Sequence, residues 1–338
     1  MLRRFIPLIA LAACGPLSEE EIPSVTAVAE TEAVTSEGDA ADDPAIWINS
    51  ADPLQSRIFG TDKKAGLYSY DLSGAIRQFL PAGELNNVDL RQGVVIGEWT
   101  GDIAAASNRT NNTISLFIIS GGVAEASGAF PSAFDEPYGL CMGAPAGEAL
   151  VFVAYKTGDL VMYRLAGPGA GEEAGRLKLA SQLEGCVFDD ETGTLYVGEE
   201  NTGVWKASYR DGALAAPRIV AEIGKANGMK ADVEGLALYK TGETSGYLIA
   251  SSQGNNSYAL FDREGENAFL GRFRIAGGET VDGAEETDGI EATSASLGAD
   301  FPAGLLVVQD GFNDPSGSPQ NFKIVDWRAV EAALVFDE

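Results

Sequence analysis

The sequence predicts an all-β chain, a six-bladed β-propeller with mostly four-stranded antiparallel blades around a central channel. Three observations carry this expectation. Short apolar or alternating runs recur between Gly, Asn and Asp residues. No long stretch shows a 3.6-residue period. Six strand–turn–strand pairs return at intervals of 44 to 65 residues, near the roughly 40–50 of a propeller blade. A large sandwich or a β-helix is the alternative, because the repeat is one of pattern rather than of residue identity.

Taken in order, residues 1–13 read as an export signal: Arg3 and Arg4 precede an apolar run from Phe5 to Ala13 that is too short to span a membrane. Leu11-Ala12-Ala13-Cys14 has the form of a bacterial lipobox. Residues 14–23 would then be a lipidated Cys14 and an acidic tether, an anchor and not a span. The expected location is an exported lipoprotein at the outer membrane, cell surface or periplasm, or a secreted protein if the lipobox is not used. Residues 24–338 form the propeller domain. Its paired strands are expected near 58–61 and 66–72, 102–107 and 113–119, 150–154 and 159–165, 194–198 and 203–209, 247–252 and 256–262, and 304–309 and 321–327, with a short helical turn at 328–334.

Composition narrows the chemistry. With 23 basic and 50 acidic residues the formal net charge is −27, which argues against nucleic acid or an anionic lipid surface as a partner. There is no histidine, which removes Ser-His-Asp hydrolases, histidine phosphatases and the usual zinc sites. A Cys-x5-Arg phosphatase loop fails too, since Glu20, Gly147 and Thr192 stand six residues beyond the three cysteines. Hydrolysis here would need carboxylates, Lys, Arg, Tyr and an oxygen-loving metal.

Two series of polar turns supply such groups. One lies between the paired strands: 61–64, 107–109, 155–157, 199–201, 253–256 and 309–311. The other precedes each pair: Asp42-Asp43, Asn86 to Asp89, Glu136 to Gly139, Glu184-Gly185, Asp232 to Gly235 and Glu286 to Gly289. In a propeller, equivalent turns gather at one end. Pro44 stiffens the strand entrance behind Asp42 and Asp43, and two acids held together repel unless a cation joins them. Oxygen donors on Gly-bounded turns favour Ca²⁺ over the stricter Mg²⁺. Lys63, Lys64, Arg109 and Lys156 among the acids suit phosphate oxygens.

The motifs at 42–47, 63–67, 85–91, 102–109, 138–139, 184–185, 232–236, 250–255, 287–289 and 320–323 together resemble the β-propeller phytases, from about Ser24 to Trp327. The resemblance implies several calcium ions, structural and catalytic, and phytate (myo-inositol hexakisphosphate, as its calcium complex) as substrate. It places Lys63, Arg109, Tyr138 and Lys156 at the cleaved phosphate. It gives Asp42, Glu184, Glu200, Asp232, Glu234 and Asp288 to the catalytic calcium cluster, with Gln253 nearby. Asp43, Asn87, Asp89, Asp282, Asp310 and Asn321 fall at structural calcium ligands or their neighbours. Thr157, where an acid is expected, and the segment 311–319 depart from the pattern.

The implied reaction is attack on phosphorus by a water activated by calcium, without a covalent enzyme intermediate. A monomer acting as a 3-phytase is expected, with membrane contact only through the anchor. A non-catalytic calcium-stabilised surface propeller and a propeller lactonase-like hydrolase are the other readings. Cys141 and Cys186 either pair or stand as two small buried residues.

Overall fold

A computed structural model of the chain describes residues 22–315 and 317–334. The expected signal segment 1–13, Cys14 and the expected tether as far as residue 21 lie outside the described residues. The regular structure of the described residues is β-strand apart from short 3₁₀ turns and one helix, Trp327–Ala333. Six sheets of four or five strands, antiparallel except where Ser24–Thr26 adds to the fifth, form the blades. Their innermost strands are Ala41–Trp47, Leu85–Ile96, Leu140–Gly143, Leu183–Asp189, Val233–Lys240 and Ile290–Thr293.

The apolar runs are strands buried on both faces. Successive side chains of a strand point to opposite faces, and in a propeller each face meets a neighbouring blade. In strand Leu150–Ala154, Leu150, Phe152 and Ala154 pack with Phe188 and Leu195 of the fourth blade. Val151 and Val153 pack with Ile103 and Leu116 of the second. Strand Arg57–Asp62 behaves alike, Ile58 facing Phe322 and Phe59 facing Phe117. Six apolar clusters of this kind fill the blade interfaces, so the core is distributed between blades.

The ring closes through the start of the described chain. Strand Ala29–Glu30 pairs antiparallel with Asn321–Asp326 as the outer strand of the sixth blade, and Ser24–Thr26 pairs parallel with Phe269–Ala276 on the fifth. The terminal helix is capped by Asp326, whose carboxylate accepts from the Arg328 N–H at 3.0 Å. Trp327 stacks on Tyr239 beneath it.

Cys141 and Cys186 form a disulfide between the innermost strands of the third and fourth blades, Cα atoms 5.6 Å apart. Denatured, unreduced protein should therefore expose no thiol from either residue. Replacing both with alanine should cost about 2–4 kcal/mol of unfolding free energy, read by urea titration. A thiol count that finds both free would overturn the pairing.

Candidate active site

The acidic motifs sit on the innermost strands at one end of the ring, and most are not turns. Register shifts fall between Ala41 and Pro44, Leu85 and Val88, Leu183 and Cys186, and Val233 and Leu236. Each bulge carries Asp42-Asp43, Asn86-Asn87, Glu184-Gly185 or Glu234-Gly235, and a bulge re-aims side chains out of the regular pleat. The glycines have their own reason. A Cβ on Gly139 would lie 1.9 Å from the Glu184 carbonyl oxygen, and one on Gly185 2.1 Å from that of Glu234. One on Gly235 would meet the Asp288 carbonyl, and one on Gly289 the carboxylate of Asp43. Only glycine lets one blade's acid-bearing backbone touch the next.

The converging groups line a cavity of about 830 Å³ that includes Lys63, Tyr138, Glu184, Glu200, Asp232, Glu234, Gln253 and Asp288. Carboxylate oxygens of Glu184, Glu200 and Glu234, all buried, lie within 4.8 Å of one another. Lys63 Nζ stands 2.6 Å from Asp39, 3.1 Å from Asp42 and 3.0 Å from Asp288. Asp288 also accepts from Gln253 Nε2 at 2.7 Å, and its N–H donates to Gln309 Oε1 at 2.8 Å. Lys156 Nζ lies 4.5 Å from the centre of the Tyr138 ring, and the Tyr138 carbonyl accepts from Ser107. Arg109, half-buried at the end of the second blade's hairpin, is close enough for its charge to favour ionised Asp42.

Burial and like charge set the electrostatics. Burial, then Glu234, pushes the Glu184 carboxyl well up, and burial, then Asp42, does the same to Asp43. Burial pushes Glu234 up to about 8 and Asp288 up to about 7. Burial and then Asp232 raise Glu200. Burial, reinforced by Glu184, keeps the Tyr138 phenol neutral far above its ordinary range. Burial opposes the charge on Lys63, but Asp42, Asp288 and Asp39 outweigh it.

Several expected ligands are placed elsewhere. Asn87 Oδ1 accepts from Asn86 Nδ2, and Asp43 Oδ2 accepts from the Val88 N–H. Asp89 does not join the cluster: it lies beyond the bulge, in the channel, where Arg91 and the N–H groups of Leu90 and Met142 take its oxygens. Asp282 and Asp310 lie in a second group, apart from the main cluster. The fully buried ammonium of Lys323 stands among Glu30, Asp282 and Asp310. Asn321, on the same strand as Lys323, donates to Glu30. The carboxylates of this second group thus face a cation of the chain's own, while Asp310 Oδ2 and Asn321 Oδ1 are buried and accept no hydrogen bond. Thr157 donates to Asp159 in an exposed turn.

Asp39, Asn86, Gln182, Glu286 and Gln309 reach the site or its lining without having been singled out as ligands. Asp39, Asn86, Glu286 and Gln309 lie within or beside the polar motifs, which was the available signal. Phe312, Asn313, Gly317 and Ser318 of the divergent segment form part of the cavity wall.

The main cluster fits a hard cation. Glu200 Oε1 and Glu234 Oε2 are buried and accept no hydrogen bond, an arrangement costly without a compensating charge, whereas Asp42 Oδ2, also without a hydrogen bond, faces Lys63 at 3.1 Å. The donors are all oxygen and come from separate blades, which suits the flexible six-to-eight-ligand sphere of calcium.

The fold and site thus define a six-bladed propeller with a buried, all-oxygen acidic centre able to hold a metal, flanked by lysine, arginine and tyrosine. The chain belongs to the Phytase family, whose model matches residues 6–338. It is 39% identical over 334 residues to the 3-phytase of Bacillus subtilis (strain 168), covering 94% of this chain and 87% of that protein. Among solved structures, BBS1N in complex with ARL6DN, soaked with lead, is 13% identical at a TM-score of 0.51 over 82% of this chain and 77% of the other, a likeness of fold alone. A functionally unknown protein from Desulfotomaculum acetoxidans DSM 771 is 18% identical at a TM-score of 0.49, over 71% of this chain and 73% of that one.

Two outcomes follow from this geometry. Gly139→Ala should destabilise the fold by about 1–3 kcal/mol, measured by urea unfolding; an unchanged midpoint would refute the close approach. The second concerns pH without metal. Folded Glu234 and Asp288 keep protons that the unfolded chain releases near 4.5 and 3.8, so stability is lost as pH rises through the window ending at about 8 and about 7. In chelator, Tm should fall from about pH 5 to about pH 8, and calcium, which selects the ionised carboxylates, should remove that fall. A chelated protein whose Tm rises over this range would contradict the assignment.

Proposed function

We propose that this chain is a calcium-dependent phytase of the 3-phytase type. It would hydrolyse phosphate monoesters of calcium-complexed myo-inositol hexakisphosphate to inorganic phosphate and lower inositol phosphates. The observation that carries the reading is the convergence, in a member of the Phytase family, of three buried glutamates with Lys63, Tyr138 and Lys156 at one end of the propeller. The 39% identity to a 3-phytase supports the substrate.

Asp42, Glu184, Glu200, Asp232, Glu234 and Asp288 would hold calcium, with Gln253 fixing the orientation of Asp288 through its hydrogen bond. Bound calcium would supply positive charge against the phosphate oxygens and make an attacking water more acidic. The side chains do the rest. Arg109 offers a planar fork to two phosphate oxygens, and Lys63 and Lys156 each a point charge. Tyr138, held neutral, keeps its proton and donates a hydrogen bond to a phosphate oxygen. Glu184, beside Tyr138, accepts the proton lost by the water. Attack forms one P–O bond to the water oxygen and breaks the ester P–O bond, the inositol oxygen leaving in line and taking a proton from solvent.

We further propose that residues 24–338 are the catalytic domain of an exported lipoprotein anchored through Cys14. The Cys141–Cys186 disulfide suits an oxidising compartment.

Purified protein should release phosphate from calcium phytate and lose that activity in excess chelator. Arg109→Ala and Glu184→Gln should each lower kcat/KM by about 10²–10³-fold with the circular dichroism of the fold retained. No phosphate release with calcium supplied would overturn the hydrolase reading in favour of a ligand-binding propeller.

A further inference from the structure

Lys63 differs from the other cations of the site. Its Nζ is surrounded by Asp39 Oδ1 at 2.6 Å, Asp42 Oδ2 at 3.1 Å and Asp288 Oδ2 at 3.0 Å. An ammonium has three N–H bonds, and three carboxylate oxygens already face this one. The side chain is only 11% exposed. In this arrangement the ammonium's charge is turned to three carboxylates, Asp288 accepting its hydrogen bond, and little of its surface is left for a phosphate oxygen. Arg109 and Lys156 have no such cage among the described residues, and Lys156 is exposed. The carboxylates of the cage also differ from one another. Asp42 lies on a buried inner strand and Asp288 is fastened by Gln253 and Gln309. Asp39 is 74% exposed, ahead of that strand. Asp42 Oδ2 accepts no directed hydrogen bond, so its contact with Lys63 is charge neutralisation and not a fixed bond.

We propose that Lys63 is an internal counter-ion, caged by Asp39, Asp42 and Asp288, and is freed to bind a substrate phosphate only when a divalent cation takes over Asp42 and Asp288. Asp39 is then a positioning residue: it holds the ammonium in its parked place and needs no contact with metal or substrate. The inference rests on the calcium reading above and adds to it. Metal loading not only cancels the negative charge of the cavity but also releases one of its anion receptors. The movable partner is the lysine, because its four-carbon stem swings freely, whereas the inner-strand carboxylates are held by the ring.

The test is chemical labelling of lysines by an amine-reactive ester on the full chain, read residue by residue by mass spectrometry and normalised to exposed Lys225. Calcium binding is first verified by calorimetry; absence of binding heat defeats the calcium reading itself. With binding established, labelling of Lys63 should rise on calcium addition on the order of tenfold, the scale of an ordinary coupling between sites. Equal or lower labelling with calcium overturns the proposal. Asp39→Asn, a change at an exposed position, should raise Lys63 labelling in chelator above that of the unaltered protein. An unchanged rate there overturns the role of Asp39.

Discussion

The close approach of neighbouring inner strands at their acidic ends governs the rest of the structure. Gly139 lies against Glu184, Gly185 against Glu234, Gly235 against Asp288, and Gly289 against Asp42 and Asp43. Two of these contacts are also hydrogen bonds, the Gly235 N–H to the Asp288 carbonyl at 2.7 Å and the Gly289 N–H to that of Asp42 at 3.0 Å. A side chain at any of these glycines would spread the ring just where carboxylates from different blades must gather. Blade packing and site geometry therefore share one steric condition. The acids come close because the backbones do.

A strongly acidic chain cannot bring carboxylates together without cations. This protein places several of its 23 cations at junctions. Arg263, fully buried on the fifth blade, reaches Asp189 and Glu191 of the fourth. Arg91 joins Asp89 to Asp190 across the channel. Lys323 ties the sixth blade to Glu30 of the closing strand, and Lys63 ties the first blade to Asp288 of the sixth. Each such charge is costly to bury alone and is held only by its partners. What distinguishes Lys63 is that its cage opens onto the cavity.

Much of this was legible in the sequence, because the strand pattern follows from local rules. Both faces of a blade are buried, so its strands read as short apolar runs, and the turns between them return at blade length. The polar and charged residues at 42, 63, 138, 184, 200, 232, 234, 253 and 288 gather in one place, as equivalent positions of a repeat should. Contacts made only across blades were not legible. Glu-Gly reads as a turn unless the neighbouring carbonyl is known. Asp89, three residues after Asn86 in a polar motif, leaves the cluster because a bulge ends between them. Lys323 appeared as one residue of a family motif, and only the fold places it among Asp282, Asp310 and Glu30. Strands of two and three residues, as at Ala29–Glu30 and Ser24–Thr26, are too short to show alternation.

Those two short strands have a kinetic consequence. Glu30 meets Lys323 across 293 positions of sequence, so the last blade cannot be completed until nearly the whole chain has been made. Pairings of such separation pay their loop-closure entropy before any contact rewards it, and they slow folding. Blades two to four, built from local hairpins, can form early, while the fifth and sixth wait with an open edge. Asp42 and Asp288 face each other across the seam between the first and last blades. The cation site would therefore be among the final features to assemble, and binding there would reward only a chain that had closed its ring.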